Sequence, residues 1–203
     1  MTGRWGRILR VDLSSGEYRF EEIPPHISRF WIGGKGLAGY YIYPEIERSW
    51  DNPEMPLVFM TGPLTGTPAP ASGRTCVMSK SPLTGTACDC SVGGSLGTQL
   101  KRAGIDGLVI TGKSQRLCGI EICDGKVSIE NAEWLAGAST GELYKSLKDR
   151  GAVACIGPAA ENGVRFSSII VDGSFAAGRG GLGLVCASKN LKYITISGTG
   201  RVQ

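Results

Sequence analysis

The chain opens on an alternating stretch. Arg7-Ile8-Leu9-Arg10-Val11-Asp12-Leu13 places polar and apolar side chains with period two over most of its length. Ser14-Ser15-Gly16 is a cluster of turn formers and Tyr18-Arg19-Phe20 alternates again, which predicts a β-hairpin ended by Pro24-Pro25. From about Ile27 to Ile46 the apolar residues mix with Gly33, Gly34, Gly36 and Gly39, the pattern of a glycine-interrupted helix. Strands are predicted at Leu57–Met60, Arg74–Met78, Leu108–Ile110, Gly119–Ile122, Val127–Ile129, Val153–Ile156, Phe166–Val171 and Tyr193–Ile196. The strongest helix runs from Ser139 to Arg150: Ser139 and Glu142 form a capping box, Leu143 and Leu147 share a face, and Gly151 can close the end. Many strands, few helices and no regular alternation between them predict an α+β fold.

Two stretches return. Pro63-Leu64-Thr65-Gly66-Thr67 comes back as Pro82-Leu83-Thr84-Gly85-Thr86, and Gly93-Gly94-Ser95-Leu96-Gly97 is echoed by Gly180-Gly181-Leu182-Gly183. Each member of the second pair opens a short helix, one to about Ala103 and the other to about Lys189. The period is not constant, so the echoes predict duplication inside one domain and not a solenoid.

Glycine supplies 31 of 203 residues, roughly twice the usual share, without a collagen period. A 41% hydrophobic content excludes a disordered chain. No apolar run approaches a membrane span, and no apolar signal core follows the Met1-Thr2-Gly3-Arg4 start, so a cytoplasmic protein is expected, with no membrane partner. The net charge of +4, carried by scattered Lys and Arg, is too small to indicate nucleic-acid binding and suits an anionic small ligand. The seven cysteines include no C-x-x-C pair and the one histidine is His26, so zinc and iron–sulfur sites lack their usual spacing. Reduced thiols in a cytosolic core are expected instead. His26 reads as an exposed loop residue, Asp172 as a turn residue beside Gly173, and no nucleophile elbow occurs.

The candidate chemistry lies in the glycine clusters. Ala176-Ala177-Gly178-Arg179-Gly180-Gly181-Leu182-Gly183 combines a backbone that can turn its N–H groups outward, a helix start and a guanidinium suited to phosphate. Ser91-Val92-Gly93-Gly94-Ser95-Leu96-Gly97 repeats the logic without an arginine, which Arg74 can supply from a neighbouring element. Two such cradles suit a ligand with two phosphate groups. Gly34-x-Gly36-x-x-Gly39 and Gly178-x-Gly180-x-x-Gly183 also match the dinucleotide fingerprint, but the first lacks a preceding strand and the second a following acidic residue.

Trp5-Gly6-Arg7-Ile8-Leu9-Arg10-Val11-Asp12-Leu13, Ile32-Gly33-Gly34-Lys35-Gly36-Leu37, Thr61-Gly62-Pro63-Leu64-Thr65-Gly66-Thr67, Ser79-Lys80-Ser81-Pro82-Leu83-Thr84-Gly85, Ile156-Gly157-Pro158-Ala159, and the 176–183 cluster followed by Ser188-Lys189-Asn190-Leu191-Lys192 fall in one order. As a set they resemble the N-terminal domain of the tungsten-dependent aldehyde ferredoxin oxidoreductases. The resemblance implies a single cofactor-binding domain over residues 1–203, built as a duplicated motif of two similar β-sheets with flanking short helices. It implies a tungsten (or molybdenum) bis-pterin cofactor on Arg74, Ser91, Gly93, Ala176, Gly178 and Arg179, with a magnesium ion between the pterin phosphates held by the backbone carbonyls of Ser91 and Ala176. Relatives usually carry Asn at the position of Ser91 and can carry Arg at that of Phe175. The resemblance further implies an enzyme that oxidises aldehydes to carboxylic acids with ferredoxin as acceptor. Its 4Fe-4S cluster and acid–base groups would lie in further C-terminal domains or a second subunit. No catalytic residue is expected in this chain, and the uncovered cofactor face predicts homodimerisation or aggregation. Two rivals remain from the residues alone: a standalone pterin- or phosphate-binding scaffold, and a nucleotide-binding domain.

Overall fold

The computed structural model describes residues 3–202, so Met1, Thr2 and Gln203 of the expected 1–203 unit, including the first two residues of the start read above, lie outside it. The predicted hairpin forms as β1 (Arg7–Asp12) and β2 (Tyr18–Glu22). The glycine-interrupted helix is two helices, α1 (Pro25–Trp31) and α2 (Gly34–Ile42). They are broken where Ile32 takes φ 59° and Gly33 lies so close to the Thr61 carbonyl that a Cβ would stand 2.7 Å from it. His26 therefore sits in the first turn of an exposed helix and not in a loop.

Strands β3 (Leu57–Thr61), β4 (Thr75–Lys80) and β5 (Ala87–Val92), helix α3 (Leu96–Arg102) and β6 (Gly107–Thr111) complete a six-stranded sheet of order β2-β1-β6-β3-β4-β5. The second sheet holds β7 (Cys118–Cys123), β8 (Lys126–Asn131), β9 (Ala152–Cys155), β10 (Ile169–Val171), β11 (Phe175–Ala177) and β12 (Leu191–Ser197), in the order β11-β10-β9-β12-β7-β8. Its helices are α4 (Thr140–Leu147), α5 (Pro158–Glu161) and α6 (Leu182–Ser188). The fold is α+β.

Read from the hairpin outward, the two sheets have one topology. The hairpin β1-β2 corresponds to β7-β8, and β6 runs parallel to β1 as β12 runs parallel to β7. In each half the third to fifth strands follow antiparallel to the edge. Helices α3 and α6 occupy equivalent places, and each is followed by a left-handed residue, Gly104 at φ 83° and Asn190 at φ 57°. The echo of Gly93–Gly97 in Gly180–Gly183 thus marks the duplication. The Pro-Leu-Thr-Gly-Thr echo does not: its copies lie in the β3–β4 and β4–β5 turns of the same half, and they share a turn glycine, Gly66 at φ 79° and Gly85 at φ 71°.

Alternation explains the layering. Along β1, Ile8 faces α2 in a cluster with Leu37, Tyr41 and Val58, while Leu9 and Val11 face the other way. There they join Phe59, Val77, Ile120, Ala154 and Ile194 from both sheets, with Leu96, Leu100, Leu182 and Val185 of α3 and α6 packed between the sheets. The outer face of the second sheet is covered by Leu143 and Leu147 of α4 against Val153 and Tyr193. Ser139 caps α4 through the predicted capping box, and Gly151 follows its closing turn at φ 119°.

Three strand expectations shift. The strand predicted from Phe166 begins only at Ile169, because the Ser167 carbonyl accepts from the Gly183 N–H at 3.0 Å instead of a strand neighbour. Strands β5 and β11 were not expected: β5 alternates Cys88 and Cys90 with Asp89 and Ser91, a weak apolar signal, and β11 has three residues. All seven cysteines are free, as expected, and most are buried, but Cys123 is exposed and Cys88 half-buried.

Candidate functional site

The two glycine loops meet. Strand β5 is the last strand of the first sheet and β11 the last of the second, and each runs straight into its glycine loop. At the junction Gly93 faces Phe175 so closely that a Cβ would lie 2.8 Å from the ring, and a Cβ on Gly94 would lie 2.7 Å from Asp172 Oδ2. Only a residue without a side chain fits at either place.

The contacts between the halves are reciprocal. The β10–β11 turn of the second half reaches the first loop: Asp172 Oδ2 accepts from the Ser95 N–H at 2.6 Å and from Ser95 Oγ at 2.8 Å, while Oδ1 accepts from the Val153 N–H at 3.0 Å. The β4–β5 turn of the first half reaches the second loop: Ser81 Oγ donates to the Gly180 carbonyl at 2.7 Å, and Pro82, with the nearer Arg165 carbonyl, crowds the place of a Cβ on Gly181. Strand β5 adds Cys90, whose Sγ accepts from the Arg179 N–H at 3.2 Å. Asp172 is a turn residue, with φ 47°, but its carboxylate does more than the sequence indicated.

This arrangement revises the anion cradles. Helices α3 and α6 are seven residues each, and the start of α3 is already served by Asp172. The anion-binding capacity of the face therefore rests on its guanidinium groups and exposed backbone. Arg74 is exposed just before β4, and its Nη1 donates to the Ser91 carbonyl at 3.0 Å, the oxygen that the family resemblance implies as a magnesium ligand. Arg179 is exposed, and among the described residues its guanidinium has no salt bridge. Ser91, Ala176 and Gly178 are also exposed, with Gly93 half-buried between them and the core. The structure thus puts all six expected cofactor-contacting residues on or beside the β5 and β11 edges. It also brings in Ser81, Cys90, Ser95 and Asp172. Ser95 and Ser81 lie in stretches the sequence singled out and Asp172 in a recognised turn, but nothing in the sequence joined them to one another across the two halves.

The Cys88 thiol, half-buried near Arg179, is a poor nucleophile. Burial pushes Cys88 above its usual range, with Cys90 and Asp89 adding to the shift and Arg179 opposing it. Burial likewise raises Cys76 to about 12. Groups of three or more His, Cys, Asp or Glu arranged to hold a metal ion do not occur among the described residues. The dinucleotide reading loses its local context: Gly34-x-Gly36-x-x-Gly39 lies in α2 after a helix, not after a strand. No helix among the described residues is long and apolar enough to cross a membrane.

Residues 8–198 match the family model described as aldehyde ferredoxin oxidoreductase, N-terminal domain. The chain is 43% identical over 209 residues to the tungsten-containing aldehyde ferredoxin oxidoreductase of Thermococcus kodakarensis, an alignment covering 100% of this chain and 34% of that protein. It is 41% identical over 206 residues to the enzyme of the same name from Pyrococcus furiosus, covering 98% of this chain and 34% of the relative. Among solved structures it is similar to the active-site complex BamBC of benzoyl coenzyme A reductase, in complex with 1,5-dienoyl-CoA. The identity there is 34% and the TM-score 0.94, over 99% of this chain and 32% of that one. The chain spans about a third of the length of these relatives. With the duplicated sheets, the paired glycine loops and a match over residues 8–198, this chain belongs to the aldehyde ferredoxin oxidoreductase family, as its N-terminal domain.

Proposed function

We propose that residues 1–203 form the cofactor-holding domain of a tungsten (or molybdenum) bis-pterin oxidoreductase. The observation that carries this reading is the contact of two glycine loops, one from each half, at Gly93 and Phe175, with Arg74 and Arg179 exposed beside them. A ligand with two phosphate groups fits the chemistry of the face. Two guanidinium groups offer forked donors to phosphate oxygens, and the backbone at Ala176 and Gly178 is exposed beside them. When bound, the metal-dithiolene group supplies the redox chemistry; this chain orients it and balances its charge.

The Ser91 and Ala176 carbonyls would hold a magnesium ion, which would offset phosphate charge. Arg74 would then leave the Ser91 oxygen for a phosphate, exchanging a hydrogen bond to a neutral carbonyl for a charge-assisted one. In the whole enzyme, aldehyde oxidation, a 4Fe-4S cluster and electron transfer to ferredoxin belong to further domains or a second subunit, in the cytoplasm. The benzoyl coenzyme A reductase likeness fits this division: one scaffold serves proteins named for different substrates, so substrate choice lies outside it.

The test is to produce the chain within its whole enzyme and measure tungsten or molybdenum together with pterin fluorescence. Two phosphate-bearing pterins per metal are expected, and R74A/R179A is expected to lose most of both. Wild-type protein that binds a nucleotide and holds neither metal nor pterin would overturn the reading.

A further inference from the structure

The reciprocal contacts carry an inference that rests on the two-phosphate reading and goes beyond it. We infer that Asp172 and Ser81 form a two-way clamp that sets the spacing of the two glycine loops, with Asp172 a positioning residue for a ligand that touches both.

The argument is one of symmetry and donor count. The β4–β5 and β10–β11 turns occupy equivalent places in the duplicated topology, and each turn crosses to the glycine loop of the other half. Such an exchange is the intramolecular form of an isologous contact. The clamp acts where β5 and β11 end their sheets, and among the described residues no ladder joins one sheet to the other. Asp172 uses both oxygens: Oδ2 holds the first loop at Ser95 and Oδ1 holds the second sheet at the Val153 N–H, on β9. One rigid carboxylate thereby ties loop to sheet across 77 residues of sequence. Asn has the same shape but one acceptor fewer, so Asp172→Asn must set an NH2 against an N–H at one end. Ser81 acts the other way, donating to the Gly180 carbonyl while its oxygen accepts from Leu83 and Thr84 within its own turn.

The clamp separates two quantities that a purely structural residue would move together. Affinity for a single phosphate depends on one loop and one arginine, whereas affinity for a two-headed anion depends on the spacing. The full chain is titrated calorimetrically with inorganic phosphate and with linear alkyl bisphosphonates of increasing spacer length, and amide exchange is followed at Ser95 and Val153. Wild type is expected to prefer one spacer length. D172N is expected to lose that preference by about tenfold, the ratio for one hydrogen bond to an ionised group, with phosphate affinity unchanged. S81A is expected to move the same way by less. A D172N protein that keeps the wild-type spacer preference, or loses phosphate and bisphosphonate affinity equally, would overturn the inference. If the wild type binds neither anion, the cofactor reading fails and amide exchange decides the clamp. Exchange faster at Ser95 or Val153 in D172N, with α4 amides unchanged, supports it, and unchanged exchange at both overturns it.

Discussion

Cys90 and Arg179 face each other between the two halves. The Arg179 N–H donates to the Cys90 sulfur at 3.2 Å, and the thiol reaches back to the Arg179 carbonyl at 3.4 Å. Cys90 is buried on the edge strand β5, so it fixes the backbone of the arginine loop from below while the guanidinium stays exposed above. Replacing Cys90 with Ala leaves the Arg179 N–H without its acceptor. A loss of about 1–2 kcal/mol is expected, or roughly 2–8 °C in melting temperature for a chain of this size. Calorimetry checks it, and an unchanged melting point would show that the sulfur holds nothing.

Arg179 itself should separate stability from binding. Its side chain is exposed and free of salt bridges among the described residues, so R179A is expected to change unfolding free energy by no more than about 0.5 kcal/mol. The same substitution removes a charged donor to phosphate, which corresponds to about 1.5–3 kcal/mol, or roughly ten- to a hundredfold in affinity. Urea denaturation beside phosphate titration tests both halves of this statement.

Two glycines should respond in opposite senses. Gly119 lies under the Tyr193 ring, where a Cβ would stand 2.1 Å from Cζ, and Tyr193 is fully buried with its hydroxyl on Glu121 at 2.8 Å. G119A must displace that ring, at a cost of about 1–3 kcal/mol. Gly141 lies in α4 with open space where a Cβ would go, so G141A is expected to stabilise by about 0.5 kcal/mol. Denaturant midpoints should shift in opposite directions for the two variants.

The buried thiols predict an alkaline limb in stability. Burial raises Cys76 and Cys186 to about 12 and Cys155 to about 11, from an ordinary 9.0. A group whose folded pKa is raised contributes stability that is complete below its unfolded pKa and is lost as pH climbs through the folded one. Lys189 opposes this. Burial lowers it from 10.5 to about 8, so its penalty is relieved between those values. Burial lowers Lys101 as well, so two buried ammoniums favour stability as pH rises past 8, and the buried thiols, with Cys118 and Cys88 also raised, dominate above. Stability under reducing conditions should therefore rise slightly to about pH 9 and then fall. C186A should flatten the fall and K189M should reduce the rise, leaving the Lys101 share. A curve level to pH 10.5 in the wild type would contradict both assignments.

What the sequence settled by itself was local. The β1–β2 hairpin and the capping box of α4 depend on neighbours within a few residues, so their chemistry is written in short stretches. The match of Gly93–Gly97 to Gly180–Gly183 was readable too, because duplication leaves a copy of the loop in each half. Tertiary structure alone decided the rest. Edge strand β5 has little apolar alternation of its own and exists because β4 pairs with it along its whole length. The binding of Ser95 by Asp172 and of Gly180 by Ser81 spans 77 and 99 residues of sequence. No short pattern encodes such partners. They meet because burying both sheets against α3 and α6 in one core brings the β5 and β11 edges together.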